Sequence, residues 1–168
     1  MKKGLPCVWL GKLSTLFKKK ILVSSCLLGN RVRYDGNSKL YDLSMLDEYE
    51  LVTCCPEVDG GLSVPRAMSE IQLDGTVINI HNEDVTDNFN KGAKRALDIA
   101  ISQNIKVAIL KSKSPSCSNS ITYDGSFCGR LINRKGITVK VLEENGIIVF
   151  DENHISDALI YLKELYDD

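Results

Sequence analysis

Apolar and polar positions fall into two kinds of block along this chain. Short unbroken apolar runs, ILVSS at 21–25, KVAIL at 106–110 and IIVF at 147–150, read as strands buried on both faces. Amphipathic stretches separate them. The longest, 86–104, carries Phe89, Ala93, Ala96, Leu97, Ala100 and Ile101 along one helical stripe, with Thr86 as its expected N-cap. Helices are also expected over 40–49, 136–145 and 155–165, and a further strand over 50–54. Asp74-Gly75, between apolar segments at 70–73 and 77–80, signals a hairpin beside the main sheet. The run at 106–110 spares no face, so it belongs at the sheet centre.

Strands that alternate with helices predict an α/β fold. The expected form is a single-domain three-layer α/β/α Rossmann-like sandwich with a mostly parallel sheet and a small hairpin. The 168 residues suit one such domain, over 20–168. Residues 1–19 differ in character. They are rich in lysine, contain no acid, and place Leu5, Trp9, Leu13, Leu16 and Phe17 at helical spacing. A basic amphipathic helix suits an anionic membrane surface or a partner; the simpler expectation is a loose extension ahead of the domain. Lys12 interrupts its short apolar part and no small-residue cleavage site follows, so it makes a poor secretory signal.

Composition narrows the function classes. Hydrophobic residues make up 43% and charged residues 26%, ordinary values for a soluble globular chain. A formal net charge of -1 offers no global basic field, so no stable nucleic-acid complex is expected. No apolar run approaches the about 20 residues of a membrane span, so integral membrane association is not expected either. Six cysteines raise the idea of a disulfide framework, but the α/β pattern supplies its own core. Free thiols in a reducing cytoplasm are the better reading. There is no Cys-x-x-Cys pair, no GxGxxG and no Walker A lysine loop. His81 and His154 sit in polar contexts and read as surface residues.

The candidate chemistry lies in three cysteines. Cys26, Cys55 and Cys117 each follow an apolar run and open a loop rich in Gly, Pro or Ser. The carboxyl ends of strands in an open α/β sheet converge on one crevice. Three thiols brought there make a metal or cluster site, and three protein ligands leave a coordination position open, as catalytic sites do. Cys7, Cys54 and Cys128 read as spectators, since buried free Cys is common as a small hydrophobe.

Each cysteine loop brings further candidates. After Cys26 and the turn at Gly29 come Arg31, Arg33 and Tyr34, which suit an anionic or planar ligand. Pro56 biases Cys55 toward an extended backbone, and Glu57 lies two residues from that thiol, able to move protons or simply to be an exposed carboxylate. Arg66 suits a phosphate or carboxylate, or a surface pair with Glu70. The loop KSKSPSC supplies Ser114, Ser116 and lysines as donors to a polar substrate or to cluster sulfurs. The turn at 123–127 is placed to cover the crevice.

Three segments, SSCLLGNRVRYDG, CPEVDGGLSVPR and LKSKSPSCSNSITYDGSF, resemble the signatures of the bacterial YbbK-like family, domain of unknown function 523. Its characterised members are thiouracil desulfidases of the TudS type. The resemblance spans about 20–150 in one order and one domain. It implies a [4Fe-4S] cluster bound by three cysteines, here Cys26, Cys55 and Cys117, with one open iron. It implies hydrolytic, redox-free removal of sulfur from 4-thiouracil or a 4-thiouridine nucleotide. Glu57, from its place in CPE, is then the proton carrier, and Ser114, opening SPSC, orients the ring or relays a proton. Arg31, Arg33, Tyr34, Arg66 and Ser116 are the expected substrate contacts, and the expected partner is a small thiobase or thionucleotide.

Two departures stand out. Ser118 follows SPSC where the family carries Gly, and Met68 stands where it carries Pro. Cys54 doubles the second cysteine, leaving either of the pair as ligand, with Cys55 preferred by the CPE motif. Two other classes compete with the enzyme. One is a non-catalytic metal- or cluster-binding module, structural or sensory. The other is a metal-free domain that binds a small nucleotide. Nothing in the sequence specifies an oligomeric state.

Overall fold

A computed structural model describes residues 18–166, so nearly all of the basic extension lies outside the described residues. In chain order the described elements are β1 (Lys20–Ser24), β2 (Glu50–Cys54), α1 (Pro56–Asp59), β3 (Ser69–Ile71), β4 (Val77–Asn79), α2 (Thr86–Ser102), β5 (Val107–Leu110), β6 (Ile121–Tyr123), β7 (Leu131–Asn133), α3 (Ile137–Glu144), β8 (Ile148–Asp151) and α4 (Ile155–Tyr166). No helix among the described residues is long and apolar enough to cross a membrane.

Four strands form one parallel sheet in the order β2-β1-β5-β8. The order reverses between β1 and β5, because the chain first steps outward to β2 and later fills the other side. The alternation of side chains along each strand builds two cores. Ile21 and Val23 of β1 and Val107 and Ile109 of β5 pack with Ile155, Ala158 and Leu162 of α4. Leu22, Ala108 and Leu110 face the opposite way, toward Ala96 and Ala100 of α2 and Val139 and Leu142 of α3. The result is the expected three-layer α/β sandwich, with β5 an inner strand.

Two antiparallel hairpins, β3-β4 and β6-β7, stand beside the sheet. The first is the expected Asp-Gly hairpin; the second forms around what the sequence shows only as a turn at 123–127. Arg134 joins them by donating to the carbonyls of Ile71, Gln72 and Tyr123 at 2.7, 3.0 and 2.6 Å. Buried Glu70 completes the bond by accepting the amides of Gly125 at 2.9 Å and Phe127 at 3.0 Å.

Three local expectations are corrected. Segment 40–49 holds only a single 3-10 turn, Ser44–Leu46. Its backbone is tied elsewhere: the Tyr41 amide donates to Leu27 O at 2.9 Å, and the Asp42 carboxylate takes the Ser44 amide at 3.0 Å. These local bonds compete with a helix ladder. Thr86 does not cap α2. Its amide donates to Asp84 Oδ1 and its hydroxyl accepts the Val77 amide, each at 2.9 Å, so it ties the helix to β4. Ile101 is 63% exposed, at the outer end of a stripe whose Phe89, Ala93, Ala96 and Ala100 are buried and whose Leu97 is half-buried.

The helix α1, one turn long, begins with Pro56 at its first position, where a missing N–H costs nothing. It lies hard against α2. A Cβ on Gly92 would stand 1.8 Å from Pro56 O, and one on Gly60 would stand 2.0 Å from Asn88 O. Glycine at both positions lets two helix backbones touch, and this contact sets where Cys55 and Glu57 stand.

Candidate active site

The carboxyl ends of β1, β2 and β5 open onto a cavity of about 270 Å³. Its place, beside the switch point between β1 and β5, is the usual ligand crevice of open α/β sheets. Cys26, Cys55 and Cys117 all line it, one from the loop after each of these strands. Cys26 lies in a 3-10 turn that ends at Gly29, whose φ of 89° is a left-handed conformation suited to glycine. Cys55 has the extended backbone that Pro56 imposes, φ -132° and ψ 90°.

The loop that carries Cys117 is held by the start of α3. The amides of Ile137 and Thr138 each donate, at 3.0 Å, to the carbonyls of Pro115 and Ser116. Gly136 permits the contact, since a Cβ there would stand 2.3 Å from Ser116 O. Ser116 is fully buried and its hydroxyl pairs with Thr138 Oγ1 at 2.7 Å. It therefore faces α3 and is absent from the cavity wall, unlike the substrate contact expected of it.

Glu57, Arg66 and Ser114 form one bonded group on the wall. Arg66 places Nε and Nη2 each 2.7 Å from Glu57 Oε2, and its Nη1 donates to Val32 O at 2.9 Å. The Arg66 side chain is 7% exposed and that of Glu57 16%, so this is neither an exposed glutamate nor a surface pair with Glu70. The Ser114 hydroxyl accepts the amides of Ser116 at 3.1 Å and Cys117 at 3.0 Å, and donates to Glu57 Oε1 over 3.4 Å. Both acceptor positions of that oxygen are filled, so its proton is directed at Glu57.

At the mouth, Arg33 stands 5.8 Å from the Tyr34 ring centroid and pairs with Asp35 at 3.4 Å. Both Arg33 and Tyr34 line the cavity, whereas Arg31 is exposed outside it. Sequence reasoning offered the lysines of KSKSPSC as donors but missed the carboxylate that holds one of them. Lys111 and Ser112 line the cavity, and both bond to Glu152, a carboxylate that is 5% exposed at the end of β8. Glu152 lies 41 residues from Lys111, and only the pairing of β5 with β8 brings the two together.

Burial pushes every thiol here up. Cys26 rises to about 11, through desolvation first and then the neighbouring Cys55, with Lys111 and Arg33 pulling the other way. Cys55 also rises, by burial foremost, and Cys117 rises further, by burial and then the Glu57 charge. Cys54 rises too, by burial, and belongs to the core with Leu22 and Ala108 while touching the cavity wall. Cys128 is exposed on the β6-β7 hairpin, and His81 and His154 are exposed as expected. Among the described residues, no three His, Cys, Asp or Glu side chains meet closely enough to hold a single metal ion. The three thiols are spread around a cavity instead.

The model of the 2-thiouracil desulfurase family matches residues 21–154. The chain belongs to the 2-thiouracil desulfurase family. Cys26, Cys55 and Cys117 all fall inside the matched family segment, as do Glu57, Ser114 and Glu152. A curated relative, the uncharacterized protein YbbK of Bacillus subtilis (strain 168), is 38% identical over 150 residues, covering 83% of this chain and 99% of its own. A solved structure of the [4Fe-4S]-dependent thiouracil desulfidase TudS superposes with a TM-score of 0.83 at 41% identity. It covers 87% of this chain and 99% of its own. With that coverage and TM-score, this desulfurase-family chain shares the fold of that enzyme.

Proposed function

We propose that the chain is a [4Fe-4S]-dependent thiouracil desulfidase, with 20–168 as one catalytic domain. Its reaction replaces the thiocarbonyl sulfur of 4-thiouracil, or of a thiouridine nucleotide, by oxygen from water. The observation that carries this reading is the meeting of Cys26, Cys55 and Cys117 around one cavity that also holds Glu57 and Ser114. The donor set fits the cluster: thiolates are the ligands such clusters take, and Cys26, Cys55 and Cys117 would hold it. When bound, the cluster supplies an iron without a protein ligand, a soft Lewis acid that takes the substrate's sulfur and polarises the carbon.

The chain's own residues supply the rest. Arg66 occupies Glu57 Oε2 with two donors, which leaves Oε1 as the oxygen able to exchange a proton. Oε1 takes the two protons of the incoming water one after the other and passes each to the departing sulfur. Ser114 fixes the direction of that oxygen through its own proton. Arg33 and Tyr34 offer flat faces at the mouth to a base or its phosphate. The balance is one thiocarbonyl and one water giving one carbonyl and one hydrogen sulfide, with no electron gained or lost. The unpaired thiols suit a reducing compartment, and the proposed location is the cytoplasm.

The test is anaerobically reconstituted protein given 4-thiouracil without a reductant. Sulfide and uracil released in equal amounts are expected. A cluster-loaded protein that releases neither, from the thiobase or from thiouridine 5′-monophosphate, would overturn the proposal.

A further inference from the structure

The Lys111–Glu152 pair has no part in the proton path just described, yet it is held at the cavity by a dense set of hydrogen bonds. The Lys111 ammonium donates to Glu152 Oε1, to Ser112 O at 3.1 Å and to Ser112 Oγ at 3.0 Å. Glu152 in turn accepts the Ser112 amide and hydroxyl, each at 2.8 Å. Burial alone would push the Glu152 carboxyl up, but the Lys111 and Ser112 donors together hold it below the ordinary carboxylate range. The Lys111 amide also donates to Ser24 Oγ at 3.0 Å, which fixes the pair to the end of β1, two residues before Cys26.

The pair is oriented. Lys111 and Ser112 line the cavity, while Glu152 does not. The lysine therefore stands on the cavity side of the pair, which the thiols also line, and the carboxylate behind it. Lys39 and Lys113 also line the cavity, but neither is tied to an acid among the described residues, and the two arginines are committed elsewhere. Arg66 is bound to Glu57, and Arg33 lies at the mouth against Asp35. A buried ion pair adds little stability over an apolar pair of the same shape, so stability alone does not account for it.

We infer that Lys111 is a positioning residue for the metal site: a fixed counter-charge, clamped by Glu152 and Ser112, that stabilises the negative assembly of cluster and thiolates and raises its reduction potential. The inference rests on the proposed cluster. Added negative charge on reduction is stabilised by a nearby cation and opposed by a nearby anion, so the two members of the pair act in opposite directions.

The experiment is a redox titration of the reconstituted holoprotein, followed by its visible and electron paramagnetic resonance spectra, with iron and sulfide counted in each sample. Lys111→Met is expected to lower the one-electron reduction equilibrium about tenfold, a fall of about 59 mV. Glu152→Gln is expected to raise the potential, and Lys111→Arg to stay near the wild type. Loaded variants with the wild-type potential, or both Lys111→Met and Glu152→Gln moving it the same way, would overturn the inference and reveal a merely structural pair. Where Lys111→Met fails to fold, Glu152→Gln decides: a rise supports the inference, and no change or a fall overturns it. A wild type that takes up no cluster overturns the desulfidase reading and this inference with it; loaded proteins with unshifted potentials overturn the inference alone.

Discussion

Arg66 lays two nitrogens on a single oxygen of Glu57, Nε and Nη2 each 2.7 Å from Oε2. The carboxylate cannot turn, so its other oxygen keeps one direction, toward Ser114 and the cavity. A planar fork does this and an ammonium does not. Arg66→Lys is therefore expected to keep its cluster, since Arg66 is no ligand, and to lose about 10²-fold in kcat from misplacement of Glu57. Glu57→Gln, which keeps the shape and removes the exchangeable proton, should lose about 10²–10⁴-fold. Sulfide release normalised to bound iron checks both. Unchanged turnover in Glu57→Gln would remove the carboxylate from the mechanism.

Ser114 has a structural duty separable from its contact with Glu57. Its oxygen is the acceptor for the amides of Ser116 and Cys117. Ser114→Ala should destabilise the fold by about 1–3 kcal/mol for each donor left unmet. It should also slow turnover, because the Cys117 loop loses its local tie. Urea unfolding of the metal-free protein reads the first effect, where an unchanged midpoint would contradict it.

The seat of Cys55 and Glu57 depends on the touching backbones of α1 and α2. A Cβ on Gly92 would stand 1.8 Å from Pro56 O, so Gly92→Ala must displace α1. A loss of about 1–3 kcal/mol is expected, as for other overpacked sites. Turnover should fall with it, because α1 carries Glu57 far from the substituted residue in sequence. Thermal unfolding and sulfide release on one preparation test the linkage. Full activity in Gly92→Ala would show that the contact does not position the carboxylate.

Outside the site, His154 Nδ1 donates to Asp151 Oδ1 at 2.7 Å, and the carboxylate raises the imidazole pKa above the ordinary histidine value. A raised folded-state pKa means the charged pair stabilises the fold fully below the ordinary value. That contribution fades as pH rises through the raised one. The melting temperature should therefore step down slightly across that window in the wild type, and the step should be missing in His154→Gln. Equal profiles for the two proteins would contradict the pairing.

The sheet was legible in its inner strands, where ILV at 21–23 and VAIL in β5 are short apolar runs buried on both faces. The three cysteines were legible for the same reason, since each follows a strand and strand ends meet. Segment 40–49 misled because Leu43 and Leu46 are spaced for a helix, while its backbone bonds go to Leu27 and an aspartate turn. Ser116 misled because its orientation is set by Thr138, on a helix that sequence spacing cannot dock. The Pro56 start and Gly60 end of α1 were present as signals, masked by the shortness of the helix. Glu152 gave no local signal at all. Its partner is fixed by the parallel register of β5 and β8, which exists only in the folded sheet.

The most direct test of the central claim is iron and acid-labile sulfide analysis, with spectra, of protein reconstituted without oxygen. Wild type, Cys54→Ala, and a variant with Cys26, Cys55 and Cys117 all changed to Ala should be compared. About four irons per chain in the first two and none in the third are expected. A colourless wild type, or a triple variant that keeps its iron, would contradict a cluster held by these three thiols.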